Sequence, residues 1–193
     1  MQKNENVFVL SGILFIITAV VALLLGVVNQ ITADKIEQNL QQEQMAARQT
    51  VLCEAEIFLP IEYSADGDGT ISQMFVGQAQ GKTVGYCVSV STTGFGGAME
   101  LMVGVSETGQ VEGVAIISHS ETPGLGSKAQ SPEFCGQFVG KNAEDTLKVV
   151  KNEAKHEREI VAISGATITS KAVTEGVNAA LAAVLKVKEA EVQ

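Results

Sequence analysis

The stretch "ISGATITSKA", residues 163–172, gathers four hydroxyl side chains, Ser164, Thr167, Thr169 and Ser170, around Gly165 and Ala166. An apolar run, "IVAIS", leads into it, and apolar residues at helical spacing follow. That order predicts a turn over 164–167 and the N-cap of a helix at Thr169 or Ser170, because a cap oxygen accepts one of the helix's unpaired N–H groups. Such a terminus also carries partial positive charge and favours an anion such as phosphate. Gly165 and Ala166 leave the backbone open to close approach. By residue type alone, capping explains most of these hydroxyls, and an anion site is the chemical alternative.

Other residues that can do chemistry are few. In "HSETPGLGSK", residues 119–128, Pro123, Gly124 and Gly126 force a tight, irregular loop. His119 at its start reads as a structural or surface histidine before a proton carrier, and His156 in "KHERE" as solvated loop. Gly94 to Gly97 with Phe95 is either a plain hairpin or a wall of a site. The three cysteines, Cys53, Cys87 and Cys135, are widely spaced with no C-x-x-C. Buried free thiols fit that pattern better than a disulfide framework or a metal cluster. "ADGDGT" at 65–70 brings Asp66 and Asp68, but a calcium loop opening there needs Gly and Glu where Ile71 and Gly77 stand, so a β-turn is expected.

The elements that must position these residues begin with Val7 to Val28, which contains no charged residue. As a helix it reaches about 33 Å, enough for a hydrocarbon core of about 30 Å. The run is longer than the apolar core of a signal peptide and leads into helical sequence rather than a cleavage site, so an uncleaved anchor is expected. Residues 1–30 are read as stub and anchor, 31–58 as a helical stalk ended by Leu59-Pro60, and 59–193 as the functional domain. From Ser72 to Ser118, "QMFVGQA", "KTVGYCVSV", "MELMVGVS" and "VEGVAIIS" predict an antiparallel meander. Glycines 77, 85, 104 and 113 inside those strands suit bulges or close packing, and with them a curved sheet. "SPEFCGQF" predicts a short helix capped by Ser131, and Val173, Val177, Ala180, Leu181, Val184 and Leu185 form the apolar face of a closing helix. The fold class is α+β.

Formal net charge is −9, nearly all of it carried by charges beyond the anchor. That surface repels nucleic acid and anionic lipid, so contact with lipid is limited to the single span. Lysine bias around the span is weak. A short stub before it and a large domain after it place the domain on the extracytoplasmic side of the inner (cell) membrane.

"SGATITS", set between strand and helix, closely resembles the flavinylation motif of FMN-binding subunits in membrane redox pumps. These are the G subunit of Rnf-type ferredoxin:NAD oxidoreductases and the C subunit of sodium-pumping NADH:quinone oxidoreductases. The resemblance covers essentially the whole chain, including the glycine-rich "GFGGAMELMVGV" (94–105) and the "HSETPGLGSK" loop. It implies that a flavin transferase joins FMN through its phosphate to the threonine of "SGAT", here Thr167. Ser164, Gly165, Ala166, Thr169, Ser170 and Lys171 would surround the phosphate, and Glu121, Thr122, Pro123, Gly124, Leu125 and Gly126 would wall the ring. The chain would then relay electrons to other subunits of a complex coupling ferredoxin oxidation and NAD reduction to Na+ or H+ movement. Its short length suits the Rnf subunit better than the longer quinone-reductase relative. One departure is Val161, where many members carry aspartate; a membrane-anchored scaffold without flavin rests on that residue alone.

Overall fold

The computed structural model describes residues 3–63, 70–142 and 146–191; the turn expected at 65–70 falls largely outside them. The chain divides into two compact units, Met1–Glu43 and Gln44–Gln193. One helix, α1 (Lys3–Val51), supplies nearly all of the first unit. Its apolar side chains from Val7 to Val28 are exposed along the whole run, and the helix is long and apolar enough to cross a membrane. Polar residues within it satisfy themselves locally: the Thr18 hydroxyl donates to the Leu14 carbonyl at 3.0 Å.

The second unit is built on a five-stranded antiparallel meander. Its strands are β1 (Ile57–Ile61), β2 (Ile71–Ala79), β3 (Lys82–Thr93), β4 (Ala98–Ser106) and β5 (Val111–His119), paired in that order. β2 to β5 match the four runs expected from sequence. β1 does not: α1 ends at Val51, and Leu59-Pro60 lies inside this added edge strand rather than closing a stalk. An edge is the place in a sheet where proline is tolerated, since one side of the strand needs no N–H donors.

Alternation along the strands sends two sets of side chains to two faces. On one face Tyr86, Val88, Val90, Leu101, Val103 and Val105 meet Val173, Val177, Ala180, Leu181 and Val184 of the last helix, α3 (Thr167–Glu191). Each large apolar side chain among them contributes about 1.5–3 kcal/mol when fully buried. Leu185, counted in that face from its spacing, is instead exposed. On the other face Cys87 and Met102 pack against Val51, Leu52 and Ala55, at the end of α1 and just beyond it. The strand glycines explain that contact. A Cβ on Gly104 or Gly113 would strike Val51 and one on Gly77 would strike Leu52, while one on Gly85 would strike the Val105 carbonyl oxygen and come within 3.0 Å of Leu52. Gly77 pairs with Gly85 and Gly104 with Gly113 across neighbouring strands, which clears a shallow trough for the incoming chain. Arg48 lies over the Phe75 ring, 3.6 Å from its centroid, on the same face.

Three smaller elements complete the unit. Ser131 caps α2 (Pro132–Gly136), its hydroxyl accepting from the Phe134 N–H at 3.3 Å, with proline in the first turn as expected. β6 (Lys148–Val150) and β7 (Glu159–Val161) form a separate parallel pair. β7 ends three residues before Ser164, and so aims the chain into the turn that opens α3.

Candidate functional site

Three segments converge at one end of the sheet: the β3–β4 turn, the loop after β5, and the turn between β7 and α3. The β3–β4 turn closes on itself through a Gly94 N–H to Gly97 carbonyl bond of 2.8 Å. The second loop is organised around the Thr122 carbonyl, which accepts from the N–H groups of Leu125 and Ser127 at 3.2 and 3.3 Å. Gly124, with φ +78°, takes the left-handed conformation this fold-back requires, and the Ser127 hydroxyl accepts from its N–H at 2.9 Å. In the third turn Gly165 also has φ +78°, and a Cβ there would sit 3.2 Å from Leu125 Cδ2. The two loops therefore touch where one of them has no side chain.

The helix begins one turn earlier than the hydroxyl pattern indicates. α3 starts at Thr167, so Thr169 and Ser170 are not its N-cap but lie in its first turn, fully buried. The Ser170 hydroxyl donates to the Ala166 carbonyl at 2.9 Å and accepts from the Ile163 N–H at 3.0 Å, clamping the turn from inside. Thr169 donates to Glu121 Oε2 at 2.7 Å. The residue preceding the helix is Ala166, which offers no side-chain oxygen, so the terminus has no cap of the kind expected.

Glu121 ties the three segments together. It is 6% exposed, and its Oε1 accepts from the Gly96 N–H at 2.9 Å while Oε2 takes the Thr169 hydroxyl. Its own N–H donates to His119 Nδ1 at 3.1 Å, which gives that histidine its structural role. Burial pushes the Glu121 carboxyl upward, but the Gly96 N–H, the Thr169 hydroxyl, the Phe95 N–H and nearby His119 outweigh it and hold the group below its ordinary value.

Between these segments lies a cleft of roughly 450 Å³, lined by Phe95, Glu121, Thr122, Leu125, Gly126 and residues 165–169. Phe95, Leu125 and Ile168 present exposed apolar surface to it, at 72%, 45% and 54%. Thr167 lines the cleft half-buried, and among the described residues its hydroxyl has no hydrogen-bond partner, unlike those of Thr169 and Ser170. The remaining expected residues scatter. Pro123 and Gly124 are exposed and outside the lining; Lys171 is exposed on the next turn of α3; Ser170 lies behind the wall. Ser164 belongs to a second cleft of about 450 Å³ on the other side of the same turn, together with Lys128, Glu133, Gln137 and Val161. There Gln137 brackets Val161, accepting from its N–H at 2.7 Å and donating to its carbonyl at 3.2 Å. Ile168 was not singled out from sequence, although helical spacing carried back from Val173 and Val177 turns 169 and 170 inward and leaves 168 outside.

A five-stranded antiparallel meander with an open cleft between its loops thus follows, in the chain, a helix long enough to cross a membrane. Residues 94–182 match the FMN-binding domain family, and residues 1–51 match the RnfG N-terminal region. The chain is 41% identical to the G subunit of the Na(+)-translocating ferredoxin:NAD(+) oxidoreductase complex of Acetobacterium woodii, over 89% of this chain and 88% of that one. It is 36% identical to the G subunit of the proton-translocating ferredoxin:NAD(+) oxidoreductase complex of Clostridium ljungdahlii, over 93% of each. The fold is similar to that of the C subunit of the Na(+)-translocating NADH-quinone reductase of Parabacteroides distasonis, with a TM-score of 0.58 at 20% identity, over 77% of this chain and 94% of that one. The chain belongs to the family of G subunits of ion-translocating ferredoxin:NAD(+) oxidoreductase complexes.

Proposed function

We propose that this chain is the electron-transfer subunit of such a complex, with FMN joined through its phosphate to Thr167 and its ring in the adjoining cleft. The observation that carries the reading is the placement of Thr167. Its hydroxyl has no partner among the described residues, and it lines the cleft that the Glu121–Gly126 loop walls. The residues fit the group. A volume of roughly 450 Å³ lies within the usual range for small-molecule sites, about 300–1,000 Å³. Phe95, Leu125 and Ile168 offer apolar surface to a flat ring.

FMN supplies the capacity to accept and pass on electrons; everything else falls to the protein. The N-terminus of α3, with no side-chain oxygen at Ala166, would face a phosphate on Thr167 with unpaired N–H groups, and Lys171 on the next turn adds positive charge. Ser170 holds the turn that presents Thr167, and Thr169 joins it to the opposite wall through Glu121. The covalent bond is made by a flavin transferase, and it keeps the cofactor in place in an extracytoplasmic domain, where lost FMN is not replaced. Other subunits give and take the electrons. Among the described residues one helix is long and apolar enough to cross a membrane, too little to form an ion path, and this chain resembles relatives named for sodium and for protons alike.

The test is expression of the full chain with a flavin transferase, followed by a denaturing gel viewed under ultraviolet light. Wild type is expected to fluoresce and Thr167→Ala to be dark. A fluorescent Thr167→Ala band would overturn the attachment site, and a dark wild-type band would favour a scaffold that carries no flavin.

A further inference from the structure

Glu121 is an unusual residue to find behind an apolar cleft. Its carboxylate is almost wholly enclosed and is held by hydrogen bonds from two different segments, the Gly96 and Phe95 N–H groups and the Thr169 hydroxyl, with His119 nearby. Two glycines are packed directly on it. A Cβ at Gly94 would strike Oε1, and one at Gly126 would strike Oε2. The fold has therefore given up side chains in two loops to bring backbone against this one group. A neutral amide would fill the same space, but it would present its NH2 group to a donor at one of the two positions. The arrangement suits a carboxylate, which accepts at both oxygens.

We propose that Glu121 is a positioning residue whose fixed negative charge, at the wall of the Thr167 cleft, lowers the reduction potential of the flavin held there. The inference rests on the flavin reading above. Reduction adds electron density to the ring system, and an anion held at the wall of the cleft opposes that gain. Because its donors are fixed in other segments of the fold, the charge does not swing away as the flavin changes state. Burial raises the carboxyl's proton affinity, but its donors more than offset this, so the group stays charged at neutral pH.

Spectroelectrochemical titration of the flavin in the full, flavinylated chain in detergent tests this, with thermal unfolding measured alongside. Glu121→Gln keeps the shape and removes the charge, and a shift to more positive potential is expected. Glu121→Asp keeps the charge on a shorter arm; its potential is expected to stay nearer wild type although it unfolds at lower temperature. An unchanged potential in Glu121→Gln, or equal shifts in Gln and Asp, would overturn the role of the charge. Should Glu121→Gln fail to fold, Thr169→Ala removes one donor and leaves the carboxylate: a potential at or below wild type is expected, and a more positive one overturns the proposal. Failure here stays distinct from failure of the flavin reading, since a fluorescent wild-type band with unaltered potentials sinks only the charge, while a dark band sinks both.

Discussion

Ser170 and Ser164 flank the same turn and are both serines, yet their environments assign them opposite weights. Ser170 is fully buried and bonds both the Ile163 N–H and the Ala166 carbonyl, so Ser170→Ala leaves a part-buried peptide donor without its partner. A loss of about 1–3 kcal/mol is expected, read from the midpoint of urea unfolding. Ser164 is exposed, and Ser164→Ala should stay within about 0.5 kcal/mol of wild type in the same measurement. If the two substitutions were equally mild, the clamp would be dispensable and the turn would be held by Gly165 and the β7 connection alone.

Among the elements, the end of α1 invites a direct test, because Val51 and Leu52 lie in the trough of strand glycines. Gly104→Ala inserts a methyl group against the Val51 carbonyl, a contact with main chain that no side-chain rotation can relieve. Overpacking of this kind destabilises by typically about 1–3 kcal/mol, so a lowered melting temperature is expected. Gly136→Ala, where a Cβ meets nothing within 4 Å, serves as control. Equal melting temperatures for the two variants would mean that the helix end is not seated in the trough. Strand glycines were legible in the sequence as sites of bulging or close packing. Which chain packs on them was not, because Val51 and the glycines are separated by a long stretch of sequence and meet only when the meander closes.

For the molecule as a whole, cysteine reactivity reports which side of the membrane the second unit occupies, because of the three thiols only Cys53 is exposed, Cys87 being buried and Cys135 half-buried. Cys53 is exposed just past the end of α1, whereas burial pushes the thiols of Cys87 and Cys135 up to about 12 and about 11. Since the thiolate is the reactive form, those two should resist maleimide at about pH 7 to 8 until the protein unfolds. A membrane-impermeant maleimide applied to intact cells is expected to label wild type and not Cys53→Ser, the result for a domain outside. Labelling that appears only after the cells are opened would put the domain in the cytoplasm. The Cys53→Ser control makes the result interpretable, since any label it still takes comes from Cys87 or Cys135.

Features that depend on local pattern were readable from neighbours along the chain. They include the uncharged run long enough to span a bilayer, four strands set by alternation and turns, the Ser131–Pro132 helix start, and the "SGAT" and "ETPGLG" loops. Features that depend on distant partners emerged only on folding. The edge strand β1 is one, since its five residues carry little pattern until β2 pairs with them. The start of α3 at Thr167 is another, because Thr169 and Ser170 find buried acceptors in Glu121 and Ala166 that no capping rule supplies. Folding also separates residues that the motif groups together: Ser164 faces another cleft, while Phe95 and Ile168 join Thr167. A motif orders residues along the chain; the folded backbone decides which of them share a surface.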